Sequence, residues 1–176
     1  MEVQIRQETK EDYKAVFVVI EEAFSSEKFS DQKEQHLVKN LRNSDAFIPE
    51  LSIVALIKNE IVGHILLTKI LIKNDDKSFE SLALAPVSVS PNHQNRGIGG
   101  QLIKEAHKIA RTLGYKSIVL LGHETYYPKF GYELAGKYDI NIPFEAPAEN
   151  CMVFELVEDG LKGVSGVVEY AKEFYE

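Results

Sequence analysis

Val87-Ser88-Val89-Ser90-Pro91-Asn92-His93-Gln94-Asn95-Arg96-Gly97-Ile98-Gly99-Gly100 decides the reading of this chain. Its first residues alternate valine with serine, the period of a strand. Pro91 and Asn92 then mark a turn. Beyond the glycines, Leu102, Ile103, Ala106 and Ile109 fall at helical spacing. The glycines therefore sit where a strand passes into a helix N-terminus. The first amides of a helix have no partner inside it, and its dipole is positive there. Glycine lets a charged ligand approach that backbone. The joint is either a cradle suited to a diphosphate or an ordinary glycine-rich helix cap.

The flanks narrow the choice. A dinucleotide site needs a third glycine and an acidic residue roughly 20 residues on, but Leu102 stands where the third glycine belongs. A phosphate loop needs Gly-Lys-Ser/Thr after its spacer, and the chain lacks it, as it lacks the protein-kinase motifs. What remains is Gln94-x-x-Gly97-x-Gly99 with Arg96 inside it. That arrangement resembles the acetyl-CoA motif of the GNAT superfamily of N-acetyltransferases. Ser117-Ile118-Val119-Leu120-Leu121-Gly122-His123-Glu124-Thr125-Tyr126-Tyr127-Pro128-Lys129-Phe130-Gly131-Tyr132 resembles the next block of that superfamily. It is most similar to a bacterial subfamily of predicted acetyltransferases with Gly-His-x-x-Tyr-Tyr-Pro-x-Phe-Gly-Phe. Phe144 to Leu156 and Gly160 to Tyr170 are similar to that subfamily's C-terminal region. The likeness is strongest from Leu82 to Tyr132.

The pattern of elements agrees. Val3 to Arg6 reads as a first strand. Thr9 and Asp12 resemble a capping box, opening a helix to about Phe24 with Tyr13, Val16, Phe17, Ile20 and Phe24 on one face. Ser30 is placed to cap a second helix running to about Asn43 and burying Leu37 and Leu41. Leu51 to Lys58 and Ile61 to Ile72 form a hairpin through Asn59-Glu60. After the turn Asn74 to Lys77 comes a strand from Phe79 to Val89, interrupted by Pro86. A mid-strand proline belongs at an edge or a bulge, and a bulge fits the glycine motif that follows directly. The long helix runs from Gly97 to Leu113, closed by Gly114. Lys116 to Leu121 is the next strand, parallel to the glycine-bearing one across the helix. Glu124 to Phe130 reads as a short helix limited by Pro128. Tyr138 to Ile142 and Met152 to Leu156 read as late antiparallel strands, and Gly160 to Tyr170 as loop or packed tail. The expected fold is α/β: a GNAT-like mixed, mostly antiparallel twisted sheet with a splayed central parallel pair and helices on both faces. One domain spans 1–176, with 133–176 as its less typical end.

Composition bounds the partners. With 176 residues, 44% hydrophobic and 27% charged, the chain has enough apolar material for one sizeable core. A net charge of -7 argues against a general nucleic-acid binder and suits a cationic amine. Cys151 is the single cysteine, which excludes an internal disulfide, and no Cys/His cluster has metal spacing. In a strand it reads as a small core residue. Met1 to Lys14 lacks a signal-peptide apolar stretch, and no run reaches the roughly 18 apolar residues of a membrane span. The expected location is the cytoplasm, away from membranes.

The resemblance implies transfer of an acetyl group from acetyl-CoA, the co-substrate, to a primary amine of a small molecule or peptide, by direct attack in a ternary complex. A non-catalytic acetyl-CoA-binding sensor is the alternative. The pyrophosphate would lie on the amides of Arg96, Gly97, Ile98, Gly99 and Gly100, with Gln94 and Asn95 shaping the approach. The pantetheine arm would pair with the backbone of Val87 and Val89, and an amide near Val89 would polarise the carbonyl. Tyr127 aligns with the superfamily's general acid, four residues before Gly131, and Tyr126 competes with it by one register. The glutamate that serves several relatives as base matches Ala83 here. His123 and Glu124 are the best substitutes, alongside loss of the proton through water. His36, His64, His93 and His107 read as solvated or packed. A homodimer is common in the superfamily.

Overall fold

The computed structural model describes residues 2–28 and 30–176. Its strands are β1 (Gln4–Gln7), β2 (Ser52–Ile57), β3 (Glu60–Asn74), β4 (Lys77–Val89), β5 (Ser117–Leu121), β6 (Glu133–Leu134), β7 (Ile140–Asn141), β8 (Cys151–Glu155) and β9 (Gly166–Glu169). Its helices are α1 (Tyr13–Phe24), α2 (Glu34–Leu41) and α3 (Ile98–Thr112). The sheet runs β1-β2-β3-β4-β5-β8-β6, with β9 pairing both β3 and β7.

Local sequence accounts for most joints. The hairpin is present but its turn is Lys58-Asn59, one residue before the expected Asn59-Glu60: these two carry φ of 50° and 66°, the left-handed pair that a tight hairpin turn demands, and Glu60 already pairs with Ile57. The Thr9–Asp12 capping box is present, and the Thr9 amide donates to Asp12 Oδ2 at 2.8 Å. Arg6 Nη1 and Nη2 grip the same carboxylate at 2.6 and 3.0 Å. This clamp holds the Asp12 pKa down at about 2, chiefly through Arg6 and despite partial burial. Gly114, at φ 91°, ends α3. Its amide bonds Arg111 O and the Tyr115 amide bonds Ala110 O, the double bond that closes a helix through a left-handed residue.

Period-two alternation divides the core. Ile53, Ala55, Ile65, Leu67, Leu82 and Leu84 pack with Leu102, Ile103 and Ala106 of α3. On the other face Val54, Leu56 and Leu66 meet Val16 and Ile20 of α1 and Val38 and Leu41 of α2. Farther along that same face, Ile70, Ile72, Ala83, Val119 and Val153 are covered by Leu161, Val168 and Tyr170 of the C-terminal segment.

Several expectations shift. The α1 seam is Val16, Val19, Ile20 and Ala23, with Tyr13, Phe17 and Phe24 half-buried. α2 starts at Glu34, not after Ser30, and buries Gln35, Val38 and Leu41, with Leu37 only partly covered. The Ser30 hydroxyl instead donates to the Glu34 carboxylate. Between Glu124 and Phe130 there is only a turn and a 3-10 segment, Tyr127–Phe130, because Pro128 cannot donate into a longer helix. Ile140–Asn141 pairs parallel with β9 rather than antiparallel. The tail is not all loop, since β9 pairs antiparallel with β3 at Leu71–Lys73. Cys151 is half-buried at the start of β8 rather than in the core.

Candidate active site

The site grows from a failure of strand pairing. β4 and β5 are parallel and share only two residue pairs, Leu82 with Ile118 and Ala83 with Val119. Beyond Ala83, the β4 edge toward β5 carries no partner strand among the described residues. β5 instead pairs along its whole length with β8. The cause lies in Ala85 and Pro86. Opposite β3 the register runs Leu67 with Leu84 and then Ile65 with Val87, so β4 carries an extra residue there. This is the bulge expected at the proline, where the missing N–H is harmless and the strand bends. Ala85, Pro86, Val87 and Val89 are partly exposed, although they belong to a central strand.

The glycine loop closes the wide end of this cleft. Pro91–His93 forms a 3-10 turn. Asn95 and Gly97 follow in left-handed conformations, with φ of 64° and 80°, and α3 begins at Ile98. Gly97 is glycine for its backbone angle, since a Cβ there would meet nothing within 4 Å. Gly99 and Gly100 are glycine for a different reason. A Cβ at Gly99 would lie 2.8 Å from the Tyr126 hydroxyl, and one at Gly100 would lie 3.2 Å from the Phe130 ring. The aromatic turn thus rests directly on the first turn of α3, a contact that no local sequence pattern signals. Gln94 Nε2 donates to Val89 O at 3.1 Å and ties the loop back to the strand. Gln94, Asn95, Arg96 and Gly97 are exposed. Arg96 and His93 also line a concavity of about 870 Å³ against Lys58 and Glu60. A second, of about 560 Å³, lies against α1. Both flank the β2–β3 turn, so neither is the cleft itself.

Tyr127 packs at the β5 side of the cleft. A Cβ on Gly122, the residue after β5, would come within 2.3 Å of its ring. The ring is 7% exposed and meets Tyr126 edge-on at 5.1 Å and Tyr132 at 5.7 Å. Burial, with Tyr126 beside it, pushes the Tyr127 phenol well above its ordinary pKa. Tyr126 is also raised by burial, and its hydroxyl stands over the first turn of α3, at the glycine-loop end of the cleft. His123 and Glu124 sit on the exposed turn after β5. The His123 ring is 3.9 Å from the Glu27 carboxylate, which joins this turn to the loop between α1 and α2. Ala83 is buried on the α1–α2 face with no ionisable group on its side chain.

His64 and His107 are packed, as expected. His107 Nε2 meets the Tyr132 hydroxyl at 2.9 Å and stacks on Phe154 at 4.4 Å. Burial and Arg111 lower its pKa to about 4. His64 Nε2 meets Ser52 Oγ at 3.0 Å, and Ser52 Oγ donates to Glu8 Oε2 at 2.6 Å. Arg42 Nε donates to the same oxygen at 3.2 Å. This buried network, invisible in the sequence, lies on the α1–α2 side. Among the described residues no helix is long and apolar enough to cross a membrane, and no group of three or more His, Cys, Asp and Glu side chains is placed to hold a metal.

Comparison with known proteins agrees with this geometry. Residues 4–135 match the family model described as the acetyltransferase (GNAT) domain. The chain is 37% identical to the uncharacterized N-acetyltransferase YjhQ of Escherichia coli K12 over 123 residues, 69% of this chain and 68% of that one. It is 27% identical to the uncharacterized N-acetyltransferase YhbS of the same organism over 146 residues, 83% of this chain and 86% of that one. The crystal structure of the Escherichia coli YhbS in complex with CoA superposes with a TM-score of 0.90 at 25% identity, over 100% of this chain and 93% of that one. A GNAT family acetyltransferase from Brucella melitensis in complex with acetyl-CoA gives 0.80 at 32% identity, over 98% of each chain. The overall fold is thus shared with these acetyltransferases, and the chain belongs to the GNAT family of acetyltransferases.

Proposed function

We propose that this chain transfers the acetyl group of acetyl-CoA to a primary amine by direct attack in a ternary complex. The observation that carries the reading is the unpaired β4 edge from Leu84 to Val89, which opens directly onto the Gly97-capped start of α3. A strand edge offers alternating donors and acceptors, as an amide-bearing arm requires. A helix N-terminus offers unpartnered N–H groups to a pyrophosphate. The amides of Arg96, Gly97, Ile98, Gly99 and Gly100 hold the diphosphate, Gln94 and Asn95 shape its approach, and Val87 and Val89 pair with the pantetheine.

The amine lone pair forms the C–N bond as the C–S bond breaks and its electron pair leaves on sulfur. Tyr127 gives the sulfur its proton. The amine nitrogen gives up a proton toward the His123–Glu124 turn and solvent, and the phenol is reprotonated from there. A phenol held protonated by burial releases its proton only as charge builds on sulfur, so Tyr127 acts late in the step. The test is titration calorimetry with acetyl-CoA, with NADH and ATP as controls, followed by thiol release on adding amines. Binding of acetyl-CoA alone and amine-dependent release are the expected results. Binding without release by any amine favours a sensor, and no binding overturns the cofactor reading.

A further inference from the structure

The α1–α2 face of the sheet is covered in two pieces. On β3, Leu66 packs under α1 and α2, while Ile70 packs under the C-terminal segment. Thr68 lies between them, at the seam. It is fully buried, and its Oγ1 has no hydrogen-bond partner among the described residues. An unbonded hydroxyl in a core costs roughly 1–3 kcal/mol, so its presence asks for a ligand.

Its position supplies one. Thr68 pairs directly with Ala83, and Ala83 with Val119 is the last pair before β4 and β5 diverge. Facing residues on one side of an antiparallel pair stand about 5 Å apart at Cβ. Thr68 therefore stands one strand in from the apex of the cleft, across the small side chain of Ala83. A cofactor arm that starts at the glycine loop and runs along β4 from Val89 brings its reactive end to this apex. Ser88 Oγ and His64 Nδ1 are also unpartnered on this face. They pair with each other across β3 and β4, four residues from Thr68, or about 13 Å along the strand. They belong to the mouth, too far away to touch the same nitrogen.

We propose that Thr68 is the residue that receives the acceptor: its hydroxyl oxygen accepts one N–H of the primary amine and holds the nitrogen lone pair toward the thioester. The proposal rests on the acetyl-transfer reading and adds the group that orients the amine. Thr68 is enclosed, so the proposal requires the seam to open for the acceptor. Phe174, which packs against both covering clusters, is the side chain bridging it.

The test compares Thr68→Val and Thr68→Ser with the parent, using n-butylamine and tyramine as probe amines. Acetyl-CoA affinity is measured separately by calorimetry. For Thr68→Val, which keeps the branched shape, kcat/KM for amine falls by about tenfold or more, chiefly through KM. Acetyl-CoA affinity stays the same, and Tm holds or rises because no protein bond is lost. Thr68→Ser restores the amine KM. A kcat/KM for Thr68→Val within about twofold of the parent overturns the proposal. So does a loss of several degrees in its Tm, which would mark a bonded structural hydroxyl. A parent that binds acetyl-CoA and acetylates neither probe also overturns it while leaving the cofactor reading standing, whereas a parent that does not bind acetyl-CoA overturns that reading itself.

Discussion

Replacing Tyr127 by phenylalanine isolates one oxygen atom. The ring fills the space against Gly122 and the edges of Tyr126 and Tyr132, and phenylalanine keeps all of that packing within the same apolar cluster. Removing the hydroxyl should therefore change stability by about 1 kcal/mol or less. A general acid contributes roughly a hundred- to ten-thousandfold to rate, equivalent to about 3–5 kcal/mol of barrier. The expected signature is a large fall in kcat with Tm and acetyl-CoA affinity unchanged. Thiol release under saturating amine measures the first, and a thermal melt and calorimetry measure the others. The pH profile adds a second constraint. Burial raises the Tyr127 pKa above its ordinary 10.0, so the phenol keeps its proton across the working range. Any alkaline fall in kcat below about pH 10 must then come from another group. A Phe variant with kcat within about threefold of the parent refutes the role, and Tyr126→Phe becomes the variant to make.

Gly97→Ala places a side chain in a left-handed conformation with open space around it. It should cost about 1–2 kcal/mol in stability, read from a urea midpoint, and weaken acetyl-CoA through the displaced loop. An unchanged midpoint would show that the loop relaxes freely. His107 titrates near pH 4 in the fold against an ordinary 6.5. Its lowered pKa means that the stability it contributes is present above pH 6.5 and lost as pH falls toward 4, about 3 kcal/mol in all. Urea unfolding at about pH 7 and pH 5 should differ for the parent and differ less for His107→Phe; equal pH dependence in both would refute it. Glu8→Gln leaves Arg42 buried beside a neutral partner, with side chains only 8% and 2% exposed. The expected loss is about 3–5 kcal/mol, and a loss below about 1 kcal/mol would mean that water reaches the pair.

What the sequence revealed, it revealed through local rules. The capping box at Thr9, the hairpin at Asn59, the bulge at Pro86 and the left-handed close of α3 at Gly114 each depend on residues a few positions apart. So does the strand–glycine–helix joint. The features that stayed hidden depend on residues far apart. Glu8 meets Arg42 across 34 positions, and neither neighbourhood signals the other. β9 has only four residues, too few for a period, and its strand character comes from the free edge of β3 at Leu71–Lys73. The glycines at 99 and 100 were legible as a motif, but the aromatic turn that packs on them was not. Nothing in the sequence singled out Thr68. Its meaning depends on where two covering layers meet.

The bulge also decides which side chains can reach which half of the cleft. Regular alternation would put residues 84, 86 and 88 on one face and 85, 87 and 89 on the other. The extra residue at Ala85–Pro86 resets the count, so Leu84, Val87 and Val89 all pack toward α3. Ser88 is thereby turned to the α1–α2 side beside its partner His64. The face under α3 becomes apolar along the full length of the arm. The unpartnered hydroxyls of Thr68 and Ser88 are gathered on the opposite face. A slip of one residue in β4 would turn Ser88 against α3 and a valine toward α1 and α2. Pro86 therefore does more than hold β4 and β5 apart. It sorts the strand into an apolar side under α3 and a side toward α1 and α2 that carries Ser88 and Ala83; if the proposed site is right, deleting one residue at this bulge should abolish transfer even where the glycine loop still binds acetyl-CoA. Binding lost together with transfer would show instead that the bulge serves the loop.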